Sequence, residues 1–153
     1  DKGSAALLYY EDMVPGEGLV SPPFKVEPCE MVEFAKRWDP VPFHIDGGAG
    51  QAAFGGLTAP GIYVLAVKQR LIHELDDKHA VIASLGYDEV RFHRPARPGD
   101  TLILHLEWVG RRLSKSKTDR GVVTIKFSLF NQADELVMSH LDTILVQRAP
   151  PRA

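Results

Sequence analysis

The hydrophobic pattern of this chain changes period once, and the change constrains its architecture. Up to residue 75 apolar side chains recur at spacings of three and four; from residue 80 onward they alternate. The last helical segment, residues 62–75, places Val64, Val67, Leu71 and Leu75 on one face, and its first two turns, Ile62-Tyr-Val-Leu-Ala-Val, are apolar all round. A helix of that kind is normally wrapped by other structure. The wrapping follows in sequence. Residues 80–85 and 87–92 read as strands, and Pro95, Pro98, Gly99 and Asp100 make a turn. Leu102, Leu104, Leu106 and Trp108 then alternate with polar or outward positions, as do Val123, Ile125, Phe127 and Leu129, and a third run spans 136–146. Hairpin-linked strands after one long helix give an α+β protein, an antiparallel sheet wrapped around that helix.

At 153 residues the chain is expected to form one domain, residues 1–153, with a core that needs no staples. A formal charge of −2 offers no basic footprint for nucleic acid. The single cysteine, Cys29, excludes an internal disulfide and supplies no metal-ligand pair, which points to a reducing compartment. No apolar run approaches the roughly 18 residues of a membrane-spanning helix, and the opening residues lack a secretory signal. A soluble cytoplasmic protein without a metal is the expectation.

The N-terminal third is punctuated. Gly3, Pro15, Gly16, Gly18, Pro22 and Pro23 break residues 1–23 into turns, with a short strand near 7–10 and another at 24–27. From Cys29 to Trp38 an amphipathic helix is expected on Met31, Val32, Phe34, Ala35 and Trp38. Glu30 and Glu33 in its first turn and Lys36 and Arg37 in its last follow the helix dipole. Pro40 disfavours helix at Asp39, and Pro42 does the same to Val41. Residues 39–43 therefore read as extended or turned, so that Asp39 and His44 are displayed from non-helical backbone. A glycine-rich loop, residues 46–59, follows, with one helical turn around 49–54 and Asp46 as a capping residue. Pro60 suits the start of the long helix, where its missing N–H costs nothing.

A carboxylate, an imidazole and a helix N-terminus in that order are the parts of an acid–base site. The string Asp39-Pro40-Val41-Pro42-Phe43-His44-Ile45-Asp46, the loop Phe54-Gly55-Gly56-Leu57-Thr58-Ala59-Pro60-Gly61 and the stretch Val90-Arg-Phe-His-Arg-Pro-Ala-Arg-Pro-Gly-Asp-Thr-Leu102 occur in sequence. Together they resemble the MaoC-like family, hot-dog-fold hydratases and dehydratases that include R-specific enoyl-CoA hydratase. The resemblance runs from Tyr10 to Val146. It implies a hot-dog fold, a homodimer or assembly of dimers, and an acyl thioester substrate on CoA or acyl carrier protein, with no cofactor beyond the CoA that belongs to the substrate. It implies reversible syn hydration of a trans-2-enoyl thioester with Asp39 and His44 as the catalytic pair. The N–H of Gly61 would meet the thioester oxygen, and Phe43, Pro60 and Ile62 would line the substrate. The chain departs from the family pattern at Val41, where Asn is common, at Pro60, where His is common, and in a loop from His44 to Gly61 about one residue short. A hot-dog thioesterase and a non-catalytic acyl-thioester-binding protein are the alternatives.

The remaining candidates read more plainly. His73, His79, His93, His105 and His140 have no metal-ligand spacing and are expected at the surface or on strands. The basic run 111–120 reads as a solvated hairpin loop, with CoA phosphates as a second reading. Tyr63 is expected in the core.

Overall fold

The computed structural model describes residues 5–152. Gly3, one of the expected turn residues, lies outside them. Chain order is β1 (Leu7–Leu8), a 3₁₀ turn at Tyr10–Asp12, β2 (Gly18–Val20), β3 (Phe24–Lys25), α1 (Pro28–Trp38), α2 (Pro42–Ile45), α3 (Gly47–Phe54) and α4 (Gly61–His73). Then follow β4 (Lys78–His79), β5 (Val81–Phe92), β6 (Thr101–Leu113), β7 (Arg120–Phe130) and β8 (Leu136–Gln147). The main sheet runs β2-β6-β7-β8-β5, all pairs antiparallel, with β3 also on β6. The two-residue strands β1 and β4 pair in parallel beside it.

The alternation of the three long strands is realised in burial. Leu102, Leu104, Leu106 and Trp108 of β6 face inward with Val123, Ile125, Phe127 and Leu129 of β7. On β8 the inward set is Met138, His140, Asp142, Ile144 and Val146, so two polar side chains sit on the core face. Against this face lies α4, through Tyr63, Val64, Val67, Lys68 and Leu71. The first turns are apolar all round, yet they are not covered on every side within the chain. Ile62 is 46% exposed and Ala66 is exposed too, so the sheet covers one side of α4 rather than every side. Lys68, a polar residue in the pattern, is fully buried.

Three further expectations change. Pro42 does push Val41 to extended backbone (φ −67°, ψ 136°), yet it also opens the short helix α2, so His44 is displayed from helical backbone. A proline breaks helix before itself and fits the first helical position of the next one. Residues 47–54 form a helix of 8 residues rather than one turn, held at its start by Asp46, whose carboxylate accepts the Gly48 N–H at 3.0 Å, and ended by Gly55 at φ 71°. The two strands expected around Gly86 are one strand. Gly86 (φ 151°) and Glu89 (φ 54°) sit at register shifts against β8, and bulges absorb the extra residues. As the edge of the sheet, β5 is exposed along almost its whole length.

The basic run does form a hairpin loop at residues 114–119, between β6 and β7, while its two ends are strand. Arg111 and Arg112 belong to β6, and the Arg111 guanidinium donates to the Tyr10 carbonyl oxygen at 2.8 Å. Among the described residues no helix is long and apolar enough to cross a membrane.

Candidate active site

Helix α1 ends where Asp39, at φ −156°, still donates its N–H to the Ala35 carbonyl. Its carboxylate then turns toward α2. Oδ2 of Asp39 lies 3.6 Å from Nε2 of His44. The other ring nitrogen, Nδ1, is 2.7 Å from the carbonyl oxygen of Thr58, and the Thr58 hydroxyl stands further off at 3.4 Å. A carbonyl only accepts, so Nδ1 carries a proton and Nε2 is the nitrogen turned toward Asp39. His44 is buried, while the Asp39 side chain is 38% exposed, so the pair opens to solvent on the carboxylate side. The Phe43 ring holds the imidazole edge-on at 4.5 Å and meets Phe54 at 5.1 Å.

His44 borders a cavity of about 340 Å³ whose walls also include Phe43, Phe54, Thr58, Gly61 and Phe92. Gly61 is the first residue of α4, where an N–H has no intrahelical acceptor. Its lack of a side chain has a definite reason: a Cβ there would stand 2.7 Å from the edge of the Phe92 ring. Close approach at this glycine is thus made by Phe92 in the protein itself.

Of the expected site residues, the structure brings Phe43, His44 and Gly61 to one cavity, with Asp39 beside His44. Pro60 caps α4 with extended backbone and Ile62 points outward; neither lines the cavity. Thr58 and Phe92 were not singled out in the sequence. Thr58 acts through its backbone carbonyl, which no side-chain pattern encodes, whereas Phe92 stands inside the Val90–Leu102 signature. A wider depression of about 410 Å³ on the outer face of β6 and β7, bordered by His105, Glu107 and Lys126, has no comparable pair of groups backed by a helix start. Tyr63 is core, as expected; burial first, then the charges of Glu30 and Glu27, pushes its phenol up to about 12.

Residues 12–128 match the family model described as a MaoC like domain. Among solved structures the chain is similar to a MaoC-like dehydratase from Rhodospirillum rubrum, with 31% identity and a TM-score of 0.86 over 94% of this chain and 99% of that one. It aligns at 38% identity over 73 residues with beta-methylmalyl-CoA dehydratase of Chloroflexus aurantiacus, 47% of this chain and 20% of that protein. A Mycobacterium tuberculosis protein described as a double hot-dog fold superposes at TM-score 0.74 over 96% of this chain and 46% of its own, a likeness of fold at 20% identity. The aligned part of the chain spans less than a third of the length of the curated relatives it matches. The sheet and its helix form a hot-dog fold.

Proposed function

The chain belongs to the family of MaoC-like domains, and on that premise we propose that it is a hydratase or dehydratase of acyl thioesters, adding water reversibly and syn across a trans-2-enoyl-CoA to give the (R)-3-hydroxyacyl-CoA. The observation that carries the reading is the open pair of His44 Nε2 and Asp39 Oδ2 at 3.6 Å, with His44 lining the cavity that Gly61 also lines. That separation is too long for a good direct hydrogen bond and suits a water molecule or a substrate hydroxyl held by both groups. In hydration, His44 Nε2 takes a proton from the water as its oxygen attacks C3, while Asp39 orients the water and favours the imidazolium that forms. The same pair returns a proton to C2, which makes the addition syn. Negative charge on the thioester oxygen is met by the N–H of Gly61 at the positive end of α4. The dehydration direction reverses each step.

The names of the dehydratases above support a thioester and a water molecule as the reacting partners. In this reading the chain acts as one domain and as a homodimer or assembly of dimers. The edge of β5, exposed with Val81, Ile82 and Leu85, is the place for a second copy to pair.

The test is loss of the enoyl-thioester ultraviolet absorbance across a chain-length panel of trans-2-enoyl-CoAs, with a thiol reagent in parallel. Turnover without released thiol, lost in folded Asp39→Asn and His44→Ala, is the expected result. Released thiol would instead identify a thioesterase, and binding without turnover across the panel a non-catalytic binding protein.

A further inference from the structure

Seven residues beyond Gly61 on α4 the core holds a charge that the proposed chemistry leaves unused. Lys68 is fully buried, although its helical neighbours Val64, Val67 and Leu71 show that an apolar side chain would serve there for packing. Among the described residues no carboxylate oxygen lies within 4.0 Å of its Nζ. The ammonium instead donates to the Tyr87 phenol oxygen at 3.1 Å and reaches Gln69 Oε1 at 3.4 Å. It also stands 4.2 Å from the Tyr87 ring centre and 5.1 Å from that of Phe127. Burial draws its pKa down to about 8, with Asp142 pulling the other way. Burying an ammonium without an ion-pair partner is costly, so Lys68 is placed for more than filling space.

A cavity of about 220 Å³ opens over this cluster, with Ile72 and Ile125 on its apolar wall and Gln69, His79, Ser84, Tyr87 and Asp142 supplying its polar groups. The direction of each hydrogen bond follows from Lys68. An ammonium only donates, so the Tyr87 oxygen accepts from it and the phenol proton turns elsewhere. Gln69 spends its carbonyl oxygen on Lys68, which leaves its NH₂ facing away from it. Asp142, 6% exposed, accepts from the Ser84 hydroxyl at 2.8 Å through Oδ1 and keeps Oδ2 as a further acceptor. His140, whose Nε2 is buried without a partner, stacks on Tyr87 at 4.4 Å. The cavity therefore combines donors, Tyr87 O–H, Gln69 N–H and the Nδ1–H of His79 (whose Nε2 accepts from Trp108), with the Asp142 carboxylate as acceptor. A hydroxyl group, which accepts and donates at once, satisfies that set. A methyl group leaves it unpaired, and a carboxylate would face Asp142.

The cavity is aligned with the candidate active site. Seven residues are about two turns of helix, so Lys68 lies on the same side of α4 as Gly61 and about 10 Å along its axis. Strand β5 passes over both, with Phe92 at Gly61 and Tyr87 at Lys68. We propose that this second cavity receives the far end of the acyl group, and that the acyl groups this chain selects carry a hydroxyl there. Tyr87, Gln69 and Asp142 touch that hydroxyl, and Lys68 is a positioning residue that acts through Tyr87. The proposal rests on the thioester reading above. About 10 Å corresponds to about eight bonds of an extended chain at roughly 1.2 Å each.

The test is equilibrium binding of three saturated eight-carbon thioesters, octanoyl-CoA, 8-hydroxyoctanoyl-CoA and the CoA monoester of octanedioic acid. None has a double bond to hydrate, so binding is read apart from turnover. The expected result is that the hydroxyl compound binds about tenfold tighter than the methyl-ended one, the effect of hydrogen bonds to Tyr87 and Gln69 and to the buried Asp142 carboxylate. Tyr87→Phe and Lys68→Met are each expected to bring that ratio near one. A mere packing defect would weaken both compounds together and leave the ratio alone. Equal binding of all three, tightest binding of the dicarboxylic compound, or a ratio unchanged in Tyr87→Phe would overturn the proposal. Binding of none of the three would overturn the thioester reading along with it. Selective binding of the hydroxyl compound with no turnover of any enoyl thioester would remove the hydratase reading alone.

Discussion

His44 points its Nδ1 at the carbonyl oxygen of Thr58, 2.7 Å away, and so keeps its other nitrogen available to Asp39. The two members of the proposed pair consequently differ in what their removal does. His44→Ala leaves a buried carbonyl unpaired and is expected to cost about 1–3 kcal/mol of stability as well as activity. Asp39→Asn, at a half-exposed position, is expected to stay within about 0.5 kcal/mol of wild type. Both are expected to lower kcat/KM by about a hundredfold or more. Urea denaturation beside enoyl-CoA kinetics checks the contrast.

Gly61→Ala tests the close approach of Phe92. The new methyl would meet the ring edge at 2.7 Å, so overpacking by about 1–3 kcal/mol is expected. The double substitution Gly61→Ala with Phe92→Ala should recover part of that loss relative to the sum of the single changes, a coupling that thermal unfolding of the four proteins reads.

Lys68 makes stability depend on pH in the alkaline range. Its folded pKa, about 8, lies below the ordinary 10.5, so between these values the unfolded chain binds the extra proton. Stability therefore rises with pH from about 8 toward 10. Above that, Tyr87, whose phenol is pushed up by burial and then by Asp142, works in the opposite sense. From pH 7.5 to 9.5 a gain of order 2 kcal/mol is expected for wild type, and Lys68→Met should lack it.

The acid side has its own marker. Trp108 donates its indole N–H to His79 Nε2 at 3.0 Å, and burial drives the His79 pKa down to about 4 against the pull of Asp77. A histidine held neutral in the fold contributes stability above its unfolded value near 6.5 that is lost as pH falls toward 4. His140 is shifted the same way, chiefly by burial. Denaturation midpoints should fall between pH 7 and 4.5 by the equivalent of roughly 2 kcal/mol, and less steeply in His79→Gln.

A charge on the exposed edge tests assembly. Leu85 on β5 is 57% exposed. If a second copy pairs along this edge, Leu85→Lys shifts the mass in light scattering from dimer to monomer while circular dichroism is unchanged.

The residues show why some of this was legible in sequence and some was not. The nearness of Asp39 and His44 was expected from the Asp-to-His motif, with two prolines constraining the backbone between them. The helical turn under His44 was hidden by the same prolines, since Pro42 argues against helix for Val41 and for helix at its own position. The three long strands declared themselves by period two. Strand β5 read as two because Gly86 looks like a break when it is a bulge. Lys68 escaped because a periodic pattern scores lysine as outward, although Val64 and Leu71 on either side place it on the buried face. Its partners, Tyr87 and Asp142, come from strands far along the chain, and only the fold brings them together.

Thr58 returns to the site twice. Its N–H donates to the Phe43 carbonyl oxygen at 3.3 Å, and its own carbonyl accepts the hydrogen bond from His44 Nδ1–H. The chain from Ile45 to Leu57, α3 included, is thereby a closed excursion, fastened at its neck and bearing Phe54 on the cavity wall beside Phe43. Its length can change without altering the spacing of Asp39 and His44. Natural or engineered grafts into this arm would reshape the cavity wall while leaving the proton-handling groups in register.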